Sequence, residues 1–212
     1  MILNKIWKRT TLSCVLAGLT LASPLVFGAL DYKQALQQKL AKVDGFSAEF
    51  SQQVIDADGN EIQQSTGNLA LKRPNLLHWQ TVSPDETLVV SDGDTLWFYN
   101  PFVEQVTAFR VDNAVANTPI LLLSGLNEQA WQDYQVSKRN DNEFTILATK
   151  QDAQVTSLHI VFNGDQIDKF TVVDATGQLS HFDLTDVVST PLPNAELFSF
   201  EVPEGVDLDD QR

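Results

Sequence analysis

The sequence predicts a mainly β fold: an antiparallel, meander-like sheet long enough to curl toward a barrel, interrupted twice by helical pieces. Three observations carry this reading. Apolar and polar residues alternate with a period of two over most of the chain. Tight-turn signals such as Asp58-Gly59 and Asn163-Gly164 recur between the alternating runs. The 212 residues, 43% hydrophobic and 20% charged, suit one domain with a sizeable core. That mixture is too apolar for a disordered chain and too polar for an integral membrane protein.

The first segment is set apart from the fold. Lys5, Lys8 and Arg9 precede an apolar run from Leu12 to about Leu21, and Ser23-Pro24-Leu25-Val26-Phe27-Gly28-Ala29 then supplies a helix breaker and small side chains. This pattern predicts a cleaved secretory signal over residues 1–28, to within a residue or two, and a single domain over 29–212. A membrane span would need about 20 apolar residues. Cys14 does not suit lipid attachment, because Thr10-Thr11-Leu12-Ser13 precedes it and the apolar run follows. Cleavage removes three positive charges, no acid and the only cysteine, so the net charge moves from −14 to −17. Such an acidic chain is a poor partner for nucleic acid or anionic headgroups. With one cysteine there is no disulfide framework.

A helix is expected from Asp31 to Val43, where Ala35, Leu36, Leu40 and Val43 share one face, Asp31 caps the start and Asp44-Gly45 ends it. Phe46, Ala48, Phe50 and Val54 then alternate with polar residues, broken only by Gln52. A strand follows around Gly67–Leu71, and Ser91-Asp92-Gly93-Asp94 joins Leu88–Val90 to Leu96–Tyr99 as a hairpin. Thr118-Pro119 opens a second helix through Ile120–Leu123, ending near Gly125, with a short piece from Asn127 to Trp131 after it. Strands at Tyr134–Lys138, Phe144–Ala148, Leu158–Phe162, Ile167–Val173 and Leu179–Thr185 complete the meander, and Phe198, Phe200 and Val202 suggest a last one. The total is about ten short strands.

The chain carries few marks of catalysis. His78, His159 and His181 are isolated on strands, and there is no HExxH, nucleophile elbow or glycine-rich phosphate loop. Asp207, Asp209 and Asp210 lack the glycine and terminal glutamate of a calcium loop and read as a solvated acidic tail. The composition and motifs therefore point away from an enzyme, and no cofactor or metal is expected. One residue breaks the pattern. Leu69 and Leu71 face inward, and Arg73 shares their parity. Parity aims a permanent charge at the apolar face, where it needs acceptors, unless Pro74 ends the strand and lets it reach water.

The residues from Lys72 to Gln105 are specific. Lys72-Arg73-Pro74-Asn75-Leu76, Trp79, Pro84-Asp85-Glu86, Val90-Ser91-Asp92-Gly93 and Leu96–Gln105 strongly resemble the LolA family of periplasmic outer-membrane lipoprotein carriers. The likeness continues at Asn117-Thr118-Pro119, Trp131, Tyr134 and the tail from Pro203 to Arg212, in order along the whole mature chain. Leu77 departs from the pattern, standing where an aromatic is common.

The resemblance implies an incomplete antiparallel β-barrel of about ten or eleven strands, enclosing a hydrophobic cavity under a lid of short helices. It implies a soluble periplasmic monomer that takes acylated lipoproteins from the inner-membrane transporter LolCDE and hands them to the outer-membrane receptor LolB. It also implies that Arg73 fastens the lid by hydrogen bonds to carbonyls near Leu121–Ser124. Parity and the lid together nominate Phe46, Phe50, Leu69, Leu71, Trp79, Val90, Phe98, Ile120, Leu121, Leu122 and Leu123 as cavity lining. For each of them plain core packing is the alternative. A lipid-binding sensor or a structural β domain would share much of this pattern.

Overall fold

Alternation along β1 (Gly45–Ile55) and β2 (Glu61–Lys72) buries one face of each strand and pairs them antiparallel from Gly45 opposite Lys72 to Ile55 opposite Glu61. The same logic repeats through β3 (Leu76–Ser83), β4 (Thr87–Asp92), β5 (Thr95–Asn100) and β6 (Gln105–Arg110). After the lid segment it resumes in β7 (Tyr134–Asn140), β8 (Glu143–Ala148), β9 (Val155–Asn163), β10 (Gln166–Asp174) and β11 (Leu179–Val188). This computed structural model describes residues 31–114, 118–125 and 128–212, so the expected signal at 1–28 lies outside the described residues.

The sheet has twelve strands in the order β12-β6-β5-β4-β3-β2-β1-β11-β10-β9-β8-β7, where β12 is Asp207–Asp210. β1 is the keystone: it pairs with β2 on one side and with β11 on the other, which joins the two meanders into one curved sheet. The sheet stays open between β7 and β12. The acidic tail is exposed at all four residues, as expected, and it also forms an edge strand, the one parallel pairing among the described residues, with Asp207 opposite Gln105. Phe198–Val202 is not a strand. Ala195–Phe198 forms a 3₁₀ turn, and the chain then runs without a ladder to β12.

The two faces of the sheet differ. Register places Ala48, Leu69, Trp79, Val89 and Phe98 in one row of the inner face, with Phe46, Leu71, Leu77, Ser91, Leu96 and Phe109 in the next. The main hydrophobic core lies on this side. The outer row Ala70, His78, Val90, Trp97 and Ala108 is covered by the C-terminal segment. There His78 Nδ1 donates to the Leu197 carbonyl at 2.8 Å, and the Phe200 ring lies 5.6 Å from Trp97.

Helix α1 runs Tyr32–Leu40, with the Asp31 carboxylate accepting from the Gln34 N–H at 3.1 Å. It buries Leu36 and Leu40 and ends before Val43. The second predicted helix is a 3₁₀ helix, Pro119–Ser124, closed by Gly125 at φ +91°. A six-residue piece cannot recover the cost of α-nucleation, and the Thr118 side chain makes no cap hydrogen bond, so the tighter helix wins. A one-turn helix α2, Val111–Ala114, was not foreseen. Of the expected Asn127–Trp131 piece, Asn127 lies outside the described residues, and Glu128–Trp131 is a run of turns.

Candidate functional site

The inner face converges on four aromatic rings. Phe50 of β1, Trp79 of β3, Phe170 of β10 and Phe182 of β11 meet at centroid distances of 4.6–5.9 Å, with Phe170 and Phe182 stacked. A glycine makes room for them. Gly67 stands opposite Phe50, and a Cβ there would lie 2.6 Å from the Phe50 Cζ and 2.0 Å from the Gln80 carbonyl oxygen. The ring therefore lies across a strand that has no side chain to offer.

Over this cluster sits the lid. Ile120, Leu121, Leu122 and Leu123 are all buried and belong to the same core as Phe46, Phe50, Leu69 and Leu71. The apolar interior of the half-barrel is thus filled by the lid. A small cleft of about 30 Å³ lies between α1, the lid and the sheet end, lined in part by Leu40, Val43, Phe46, Leu71, Arg73 and Leu123.

The structure sorts the predicted lining residues. It brings together Phe46, Phe50, Leu69, Leu71, Trp79 and Ile120–Leu123. Phe98 lies in the inner-face row but is 41% exposed and stands outside the core. Val90 is buried on the opposite face, level with His78 and Trp97. That corrects its nomination. Val89, Val90 and their neighbours are covered on both sides of the sheet, so hydrophobicity alone does not reveal which residue points inward. Phe170 and Phe182 were not nominated, although each stands in a strand whose alternation was visible.

The lid has a seam and an anchor. At the seam, the turn between β2 and β3 carries Arg73, Pro74 and Asn75. The Arg73 N–H donates to the Asp44 carbonyl at 2.8 Å, and the Asn75 N–H donates to the Ser124 carbonyl at 2.9 Å. The Arg73 guanidinium packs against Gly125, where a Cβ would lie 2.8 Å from its Cζ. Among the described residues it meets no side-chain or carbonyl acceptor, so the bond to the lid carbonyl is made by Asn75 rather than by the arginine side chain. The cation instead packs at the C-terminal end of the lid helix, where the negative ends of the peptide dipoles favour positive charge.

The anchor is α1. Lys33 Nζ donates to the Trp131 carbonyl at 3.1 Å, Lys39 Nζ donates to the Gly164 carbonyl at 2.8 Å and lies 4.9 Å over the Phe162 ring, and Lys42 pairs with Asp165 at 2.8 Å. These contacts tie α1 and the turn that follows it to the chain after the lid and to the β9–β10 turn. Beside them, burial, helped by the neighbouring Asp133, pushes the Tyr134 hydroxyl up to about 12, so it stays neutral.

Among the described residues no three His, Cys, Asp or Glu side chains gather to hold a metal. His159 and His181 each face a threonine across the outer surface, with Nδ1 at 3.0 Å from the Thr145 hydroxyl and 2.9 Å from that of Thr171. No described helix is long and apolar enough to cross a membrane.

Known proteins share this plan. The solved structure of an uncharacterized conserved protein from Thermus thermophilus superposes with a TM-score of 0.51 at 10% identity, covering 85% of this chain and 99% of that one. That likeness concerns the fold alone. In sequence, the chain is 43% identical over 200 residues to the outer-membrane lipoprotein carrier protein of Shewanella loihica, covering 93% of this chain and 96% of the relative. It is 44% identical over 200 residues to that of Serratia proteamaculans, covering 94% and 96%. The profile of the family described as Outer membrane lipoprotein carrier protein LolA matches residues 41–201, which run from the end of α1 to the segment beyond Phe200. An open sheet, a leucine-rich lid and a match of this extent agree: the chain belongs to the LolA family of outer-membrane lipoprotein carrier proteins.

Proposed function

We propose that this protein is a soluble, monomeric periplasmic carrier that accepts acylated lipoproteins from LolCDE, shelters their acyl chains on the inner face beneath the lid, and delivers them to LolB, with Arg73 biasing the lid toward closure. The observation that carries the reading is the interior itself: a continuous apolar face covered by four lid residues, Ile120–Leu123, that pack there without a covalent or metal tie. Each methylene sheltered from water is worth about 0.8 kcal/mol, and a triacylated cysteine carries dozens of them, so exposure would cost on the order of tens of kcal/mol. A carrier that offered only such a gain could never let go. The lid supplies the opposing term, because every acyl chain admitted displaces Ile120–Leu123 from the same apolar surface.

Arg73 adds to that term. With the lid closed its charge faces the carbonyl end of the Pro119–Ser124 helix, and lifting the lid removes that favourable contact. Replacing Arg73 with leucine deletes the charge and adds apolar surface, and both changes favour the open, loaded state. Cargo pickup from LolCDE is expected to survive in Arg73→Leu while hand-over to LolB stalls. Arg73→Lys is expected to be milder, because a cation remains without the planar fork. The test is the rate at which a bound lipoprotein passes from each variant to LolB. Transfer from Arg73→Leu at the wild-type rate would refute the role.

A further inference from the structure

We infer that Asn75 is a ligand-binding residue as well as part of the lid seam: its carboxamide oxygen accepts the amide N–H that joins an acyl chain to the first residue of the cargo. The inference rests on the carrier function proposed above. Asn75 stands where three elements meet. Its N–H holds the lid through the Ser124 carbonyl at 2.9 Å, and its own carbonyl accepts the Ser91 hydroxyl, from the inner face of β4, at 2.5 Å. Its φ of +62° lies in the left-handed region, which asparagine tolerates better than most residues. With both main-chain groups engaged, the side chain is held at the junction of lid and inner face.

There Oδ1 is buried and has no donor, the only buried side-chain oxygen or nitrogen in that condition among the described residues. Nearby donors are committed elsewhere. The Ser91 hydroxyl is spent on the Asn75 carbonyl, the Ser124 hydroxyl donates to the Leu121 carbonyl at 2.7 Å, and the Arg73 guanidinium packs against Gly125. A buried acceptor left without a partner is costly, and native chains keep few of them. In the closed protein the oxygen therefore penalises closure, and a ligand that brings a donor removes the penalty.

The kind of donor follows from the surroundings. It must arrive with acyl chains, which excludes a water-exposed peptide. Ester linkages carry acceptors only. A free ammonium would donate, but it would be brought beside the Arg73 cation, two residues away. A neutral amide N–H at the acylated N-terminus meets each requirement.

The test uses the mature protein and two synthetic lipopeptides of one sequence, each with a diacylglyceryl cysteine and an N-palmitoyl group, one with the amide N–H and one N-methylated. Affinities are read by displacement of a fluorescent fatty-acyl probe. The wild type is expected to prefer the N–H probe by roughly tenfold, the worth of satisfying a buried acceptor. Asn75→Gly, which accepts the positive φ, is expected to bind both probes equally. Asn75→Asp retains an acceptor and is expected to retain the preference. Equal binding of the two probes by the wild type, a preference that persists in Asn75→Gly, or its loss in Asn75→Asp overturns the inference. Failure of the wild type to bind either probe overturns the carrier reading instead.

Discussion

At the scale of single residues, two glycines decide how closely the lid and the aromatic cluster approach the sheet. At Gly67 a methyl group would have to displace the Gln80 backbone and the Phe50 ring together. Gly67→Ala is expected to lose about 2 kcal/mol or more of stability in urea titration, although the substitution is small. At Gly125 the positive φ and the Arg73 contact both oppose a side chain. Gly125→Ala is therefore expected to unseat the closed lid and slow hand-over of cargo, in the same direction as Arg73→Leu, while overall stability falls by about 1 kcal/mol or more. Neither role is legible in the sequence, since a glycine inside a strand or after a helix marks a bend without naming what lies over it. Phe46, Phe50, Leu69 and Leu71 are legible, because β1 and most of β2 alternate covered and exposed residues, Ala70 being the exception. Val90 was not, because its strand is covered on both sides.

At the scale of elements, the C-terminal strand shows how backbone pairing can order a segment that composition marks only as solvated. Asp207–Asp210 are exposed, as a solvated tail is, and their backbone is tied down as well: the Asp207 N–H donates to the Glu104 carbonyl and the Gln211 N–H to that of Ala108. Arg212 holds the end in place: it bonds Asp210 and lies 5.1 Å over the Trp97 ring, whose indole N–H donates to Asp92. The Arg212 side chain, its N–H and its charge hold the Asp210 carboxyl down to about 2. For Asp92 burial works the other way, but the N–H of Thr95, the Trp97 indole and the N–H of Asp94, helped by the Arg212 charge, outweigh it and leave the carboxyl below 3.8. A carboxyl depressed in the fold stabilises it fully above the unfolded value and ceases to do so as pH falls through the folded one. Hydrogen-exchange protection of the Asp207 and Gln211 amides is thus expected to fall between about pH 4 and about pH 2, and Arg212→Gln to lose protection already at neutral pH. Protection that stays flat across this window would separate the strand from these charges.

At the scale of the whole molecule, the period-two pattern and the turn dipeptides made the meander legible. β3 and β6 are not legible, because their apolar residues do not alternate cleanly or are few. The long-range closure of β1 on β11 carries no local signal at all. The filled interior yields a further expectation. If acyl chains take the place of Ile120–Leu123, loading must raise exchange at the Leu121 and Gly125 amides, whose bonds lie within the lid, and leave the amides of β1 and β2 unchanged. Hydrogen exchange of the empty and loaded protein would read both. The gap between β7 and β12 bears on what can be loaded. A closed barrel has its circumference set by strand number and shear, whereas this sheet has two free margins and no ladder to break between them. Its girth can therefore change by small rotations between strands at a constant count of backbone hydrogen bonds. Compliance of this kind would let one sheet accept cargoes of unequal bulk, with the added work borne by side-chain repacking and none of it by unfolding.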